Sequence, residues 1–434
     1  MQRIALPPFE KRLQKRYLTL VEAHMRNVPK LAAGVASLPS VSSAFAATQA
    51  AWRFFGNERV TLAALVEPLR AVGRDHLTRA EAPFALLVHD WSKLSFSFAG
   101  SKSDLAQLTH ATDVGYELTT ALLVCGDDGS PLAPMEAHLK TAGGVLSTRR
   151  RAPKDVPHLD QVLPTMKAAK TWELSKPLVH VIDREADSVD HYRQWDAAGH
   201  RYLVRGDDRR VRWEKATHLL SAIGGELNSR KAFRLIESVP YHDGMAQLWV
   251  AETSVTLHRP AKKSVKGRKF ERPGRPLDLR YVVVQLRDAE GRVLAEWMLL
   301  SNVPKAWATA EKLAFCYYWR WRIESFFKLL KSHGQQLEQW QQESGAAIAR
   351  RLLVSAMACV VVWQLQADDS PAAIELKDTL IRLSGRQTKR KSPHTAPALL
   401  AGLWALLSML ALLEHCHLDH LKALATRIPY LNSG

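Results

Sequence analysis

Tyr317-Tyr318-Trp319-Arg320-Trp321-Arg322-Ile323-Glu324-Ser325-Phe326-Phe327-Lys328-Leu329-Leu330-Lys331 is the most informative run of this 434-residue chain. Placed on an α-helix at about 100° per residue, Tyr317, Arg320, Glu324 and Lys331 fall within an arc of roughly 60°. Trp319, Ile323, Phe326, Phe327 and Leu330 form an apolar stripe beside them. The spacing predicts one rigid helix, anchored by its apolar face, that presents a phenol, a carboxylate and two cations in a row. A carboxylate can hold a metal ion and cations can hold phosphates, so the row suits chemistry on a polyanion.

The rest of the chain is consistent with that partner. Its length can bury a large core and implies about two to four domains. The hydrophobic share, 47%, is that of an ordinary folded protein. Sixty Lys and Arg against 43 Asp and Glu give a formal charge of +17. The cations are clustered, which favours nucleic acid, whose phosphates release counterions on neutralisation. Cys125, Cys316, Cys359 and Cys416 are far apart and make no CxxC pair, which argues for a reducing cytoplasm. Met1 to Arg16 lacks the apolar core of a signal peptide. Pro397 to Leu413 is apolar but short for a membrane span and carries Gly402 and Ser408. It is expected to be a buried or subunit-contacting helix, with no membrane partner.

Along the chain, residues 1–75 read as helical. Phe84–His89 is a short apolar run of the buried-strand type, Leu94–Phe98 alternates, and Leu118–Cys125 is a further strand closed by Gly126-Asp127-Asp128-Gly129. Val162–Leu174 reads as a helix with Pro164 in its first turn. Pro177–Ile182 is again a buried strand, followed by a helix and the strand Arg201–Val204. Residues 211–303 are β-rich, with strands expected at 231–238, 246–257, 279–287 and 292–300, and with Lys262–Lys269 as a basic loop. After Pro304 the chain is mostly helical, and the basic run Arg386–Lys391 separates its last two helical stretches.

Two acids follow buried apolar runs: Asp90 after Phe84–His89 and Asp183 after Pro177–Ile182. A strand end fixes a side chain while leaving it accessible. With Glu324 they make three carboxylates from distant segments, a set able to hold two Mg²⁺ or Mn²⁺ ions about 4 Å apart. Oxygen donors without clustered Cys favour Mg²⁺ over Zn²⁺. Glu185, Asp187 and Asp190 are rivals of Asp183, with Asp187 read as the cap of the helix beginning there. A strand-end Asp is often only a turn former.

With these residues in view, the chain resembles the bacterial DDE transposases of the insertion-sequence-four family. Tyr317-x2-Arg320-x3-Glu324-x6-Lys331 fits that family's YREK signature. Val181–Asp187 is similar to its second catalytic Asp motif, and Ala51-Trp52-Arg53-Phe54-Phe55-Gly56-Asn57-Glu58-Arg59-Val60 to its N-terminal DNA-binding region. The likeness spans about residues 5–370. It implies an α/β, ribonuclease-H-like catalytic core interrupted by a β-rich insertion, between helical N- and C-terminal domains. The expected division is 1–75 for DNA binding, 76–210 and 304–370 for the core, 211–303 for the insertion and 371–434 for dimerisation.

The resemblance further implies a catalytic and metal-binding triad of Asp90, Asp183 and Glu324 with two Mg²⁺. It implies homodimers that pair terminal inverted repeats, cut them, in several members through hairpin ends, and join the 3′-hydroxyls to target DNA. Tyr317, Arg320 and Lys331, with Arg322, would contact DNA near the cut. Trp297 and Trp321 would receive a flipped base, and Trp52 and Arg53 lie in the DNA-binding block. Extrusion of a base needs a stacking surface, which indole supplies; a core role is the other reading of Trp297. Where the family's best-known member has two threonines after the first Asp, this chain has Trp91 and Ser92.

Three further groups stand out. Arg205, Arg209 and Arg210 follow the strand after Asp183 and are expected to contact phosphate. Arg149–Lys154 and the 262–275 stretch are charge runs that can be either solvated faces or backbone contacts. His415–His420 has no second cluster to complete a metal site. Two other functions fit the same features: a catalytically silent DNA-binding repressor of transposition, and a nuclease of this fold that lacks the joining step.

Overall fold

The computed structural model describes residues 4–26, 41–96, 99–110, 112–151, 157–242, 244–265, 268–332, 334–385 and 394–427. Three helices open the chain, α1 (Lys11–Arg26), α2 (Val41–Gly56) and α3 (Leu62–Arg79). Then come β1 (Ala85–Leu94), β2 (Ala106–Gln107), β3 (Val114–Val124), β4 (Pro131–Thr141), β5 (Gly144–Ser147), α4 (His158–Ala169), β6 (Leu178–Ile182), α5 (Val189–Ala197) and β7 (Arg201–Arg205). The β-rich stretch holds β8 (Arg210–Trp213), β9 (Ala216–Leu219), α6 (Leu220–Ser229), β10 (Arg234–Tyr241), β11 (Gly244–Leu257), β12 (Ala261–Val265), β13 (Arg268–Arg272), β14 (Leu277–Arg287) and β15 (Val293–Ser301). The remainder is helical: α7 (Ala310–Tyr318), α8 (Trp321–Leu330), α9 (Gly345–Ala367), α10 (Pro371–Leu383), α11 (Ala396–Leu413) and α12 (Leu418–Ala425).

Thirteen strands build one large mixed sheet in the order β5-β4-β3-β1-β6-β7-β15-β14-β11-β8-β9, with β2 beside β3 and β10 beside β11, while, among the described residues, β12 and β13 pair only with each other. β4, β3 and β1 are antiparallel neighbours, whereas β1, β6 and β7 run parallel. This is the strand pattern of a ribonuclease-H-like fold. The parallel strands are apolar because both faces are covered: Ala85–Val88 of β1 and Val179–Ile182 of β6 are buried. The strands after β7 do not stand apart, since β15 pairs antiparallel with β7 and so extends the same sheet.

α9 is the spine of the helical side. Ser344 caps it by accepting from the Ala347 amide, and it packs against α1, α2, α3, α8, α10, α11 and β4. Arg350 ties it to the α2–α3 turn, donating to the carbonyls of Phe55 and Val60 at 2.7 and 2.8 Å. Both α9 and α11 are long and apolar enough to cross a membrane, but α9 is 89% buried within the protein. α11 buries Ala398 to Leu400 and Gly402, the glycine lying against the backbone of Leu380, while Met409, Leu410 and Leu413 are exposed.

Several local expectations are corrected. Leu94 closes β1 rather than opening another strand, and Ser97 and Phe98 lie outside the described residues. α4 begins at His158, so Pro164 sits inside it at an exposed position. Ser188, not Asp187, stands at the N-cap of α5. Within Lys262–Lys269, residues 262–265 and 268–269 belong to the paired strands β12 and β13 rather than to a loop, and residues 266–267 lie outside the described residues. Within Arg149–Lys154, Arg149 is turned to an internal use, pairing with the buried Glu136 at 2.7 Å. Residues 152–154 and the run Arg386–Lys391 (except Gly385 before it) fall outside the described residues.

Candidate active site

Strand register places the first two carboxylates. β1 and β6 pair in parallel from Ala85↔Leu178 to His89↔Ile182, so the next residues, Asp90 and Asp183, come side by side. They differ in setting. Asp183 is at the end of its strand, as expected, but Asp90 lies mid-strand, because β1 continues to Leu94 against β3 with Asp90 opposite Thr120.

The third carboxylate arrives on the Tyr317–Lys331 segment, and that segment is not one helix. α7 ends at Tyr318, α8 starts at Trp321, and i→i−3 hydrogen bonds from Arg320 to Tyr317 and from Ile323 to Arg320 tighten the turn between them. A run of aromatic and β-branched side chains has only modest helix propensity. A non-local contact completes the break: Trp319 packs on Gly129, which has φ of +73° and leaves no room for a Cβ against the indole. Arg322 reinforces the contact by donating to the Gly129 carbonyl at 2.9 Å. Gly129→Ala combines an unfavourable φ with a methyl inside the indole, so a stability loss of about 2–4 kcal/mol is expected. Urea denaturation checks it; an unchanged midpoint would mean that Trp319 repositions freely.

Arg320 gathers the site. Its guanidinium lies 2.6 Å from Glu324 Oε1, 3.3 Å from Asp90 Oδ2 and 3.8 Å from Asp183 Oδ2. Its side chain is only 7% exposed, and its Nε has no hydrogen-bond partner. Tyr317, fully buried, donates its hydroxyl to Asp183 Oδ1 at 2.8 Å. Lys331 donates to the Lys93 carbonyl at 2.7 Å and pairs with Glu338 at 3.1 Å, next to β1. Arg205 stands 3.9 Å from Asp183. Among the acids at 183–190, Asp183 is the one that meets Arg320. Asp187 is held by Arg209 at 2.5 Å, Glu185 faces Trp91 and His158, and Asp190 faces Gln194.

The two aspartates titrate in opposite directions. Burial pushes Asp90 up to about 6, against the opposing effects of the Trp91 amide and Arg320. Asp183 is also desolvated, yet Arg320, the Arg184 amide and the Tyr317 hydroxyl lower it below the ordinary carboxylate value. For Asp90 the sign follows: its contribution to stability is complete at low pH and is lost as pH rises through about 6. Asp90→Asn should therefore be more stable than wild type above pH 6 by up to about 2–3 kcal/mol, the gap closing toward pH 4. Urea denaturation without divalent ions tests this; a gap that is flat or widens on acidification contradicts it.

The aromatic candidates differ in exposure. Trp321 is 42% exposed with Arg320 5.7 Å from its ring. Trp297 is 5% exposed on β15 and packs against Tyr317 with centroids 5.2 Å apart, so it backs the site from the core. Arg210 is exposed on β8; Arg209 is committed to Asp187. Trp52 is half-buried and Arg53 exposed on α2, outside the carboxylate cluster. A cluster unseen in the sequence adjoins the site: Trp91 stacks on His158 at 4.1 Å, and that imidazole meets Glu117 and Glu185 at 3.2 and 3.1 Å. Its members come from four separate segments, and only the adjacency of Trp91 to Asp90 hinted at it.

Three carboxylates from distant segments thus converge on one guanidinium in the middle of the mixed sheet. The sequence profile of the family described as Transposase DDE domain matches residues 138–361, just over half of the chain, and the protein belongs to that family. DNA is the partner of such transposases, and divalent metal ions are their usual cofactors. The matched span includes Asp183 and Tyr317–Lys331 and begins after Asp90, whose placement rests on strand register and Arg320. Comparison with curated proteins finds no match. The oxygen-only donor set fits hard divalent ions. Among the described residues, however, no three His, Cys, Asp or Glu are grouped closely enough to hold one ion; the cation the carboxylates share here is Arg320.

Proposed function

We propose that this chain is a cut-and-paste transposase of the insertion-sequence-four type, with Tyr317, Arg320, Glu324 and Lys331 as its YREK residues. It binds terminal inverted repeats, pairs two ends in a homodimer, cleaves them and joins the 3′-hydroxyls to target DNA. The observation that carries this reading is the meeting of Asp90, Asp183 and Glu324 on one guanidinium. Asp90, Asp183 and Glu324 would hold two Mg²⁺ ions, or Mn²⁺ in their place. When bound, such ions supply an activated oxygen nucleophile and a counter-charge for the leaving oxygen.

The chain's own residues orient and neutralise. Tyr317 fixes Asp183 Oδ1, while Oδ2 faces Arg320 at 3.8 Å. Arg320 and Lys331 face β1 from the helical side and can turn to backbone phosphates once the carboxylates have another cation. Arg205, Arg322, Arg209 and Arg210 extend the positive surface. The exposed indole of Trp321 offers an extruded base a stacking face, with Trp297 behind it, which suits release through hairpin ends. The helical segment around Trp52 and Arg53 binds end DNA, and the exposed apolar residues of α11 and α12 (Met409, Leu413, Leu418 and Leu424) serve subunit pairing.

Incubating the purified protein with its end duplex, Mg²⁺ and a supercoiled plasmid tests the reading. Nicked ends, hairpins and joined plasmid products are expected. Cut ends without joining would leave the nuclease reading; binding without cutting would leave a silent DNA-binding repressor.

A further inference from the structure

At the other end of the parallel strands lies a second recess. The C-terminal ends of β6 and β7 lead to Asp183 and Arg205, whereas their N-terminal ends, Leu178 and Arg201, border a cavity of about 380 Å³. Five residues of strand put it about 15 Å from the carboxylates. Lys170, Lys176 and Arg201 line it, against a single acid, Glu173. Lys170 donates to the Ala198 carbonyl at 3.2 Å and Arg201 to the Asn302 carbonyl at 3.4 Å, both neutral acceptors. Among the described residues, no carboxylate forms an ion pair with any of these three cations. The charge of Lys170 reaches the same wall: His200, 4% exposed, is pushed down to about 4 by burial and then by Lys170 and Lys167. Trp307 completes the lining with a flat apolar surface.

We propose that this recess binds a phosphorylated nucleoside, its phosphate held by Lys170, Lys176 and Arg201 and its base against Trp307. Unpaired cations match a phosphate dianion, and the Arg201 fork can grip two of its oxygens. The volume accommodates a ligand of nucleotide size, and an indole wall accepts any base. The same chemistry is offered by a free nucleotide and by the 5′-phosphorylated end of a DNA strand.

Calorimetric titration of the full chain with deoxyadenosine monophosphate, inorganic phosphate, and single-stranded oligonucleotides with and without a 5′-phosphate tests the proposal. Deoxyadenosine monophosphate should bind more tightly than phosphate. A Lys170→Ala/Lys176→Ala double variant, with unchanged melting temperature, should bind it about tenfold or more weakly, as loss of charged hydrogen bonds requires. Trp307→Leu should weaken the nucleotide but not phosphate. A phosphorylated oligonucleotide that binds more tightly than the mononucleotide, through the same lysines, assigns a DNA end; the reverse order assigns a free nucleotide. If neither nucleotide nor phosphorylated oligonucleotide binds, or if the double variant binds both as wild type does, the recess is not a nucleotide site.

Discussion

Asp183→Asn and Glu324→Gln each reduce metal-dependent cleavage of end DNA by at least about 10³-fold while leaving binding of that DNA within a few-fold of wild type. Both changes keep the shape of the side chain and remove its charge. An amide at 183 can still accept from the Tyr317 hydroxyl, and one at 324 can still meet Arg320. Asp183 is more than a third exposed, so its share of folding stability is small. The loss thus falls on the chemistry, where a neutral amide cannot serve as an anionic ligand. Cleavage by a gel assay and binding by a mobility shift separate the two effects. Either variant retaining more than about a tenth of wild-type cleavage would remove its residue from the triad.

The second large effect concerns Arg320. Three carboxylates share this one nearly buried cation. Removing it leaves like charges facing one another, with Asp90 already disfavoured as an anion by burial. Arg320→Ala should cost the metal-free protein about 2–4 kcal/mol at pH 8, at the lower end of buried-pair losses because its partners are partly exposed. The sign of the pH dependence follows from Asp183, whose carboxyl Arg320 helps hold below its ordinary value. That stabilisation exists above the ordinary carboxylate range and fades as pH falls, so the variant's deficit shrinks toward pH 4. Millimolar Mg²⁺ should restore part of the deficit at pH 8, because a divalent ion can replace the lost counter-charge. Melting temperatures with and without Mg²⁺ decide it; a variant as stable as wild type and indifferent to metal would show that Arg320 is not the organising cation.

Much of this site was legible in the sequence because it depends on local pattern. The continuous apolar runs before Asp90 and Asp183 mark buried parallel strands, and the spacing of Tyr317, Arg320, Glu324 and Lys331 marks a shared face. What could not be read depends on distant partners. That Asp90 lies mid-strand follows from β3 pairing alongside β1 as far as Leu94. The break between α7 and α8 follows from Gly129, 190 residues before Trp319, which no periodicity can register. The choice among four acids at 183–190 is made by Arg209, Trp91 and Arg320, each on a different element. The basic stretch at 262–269 reads as loop by composition, yet residues 262–265 and 268–269 belong to two strands that pair with each other.

The hydrogen bonding of β15 to β7 has an architectural consequence. β8–β11, β14 and β15 are woven into the same lattice as the strands that bear the aspartates, so the stretch that carries them cannot be lifted out as a cassette. Excision would strip the flank of β7 and leave a row of bare amides and carbonyls two strands from Asp90, an invitation to edge-to-edge aggregation. Transplanting this stretch between relatives therefore requires conserving the β7 seam, whatever is changed at its far side.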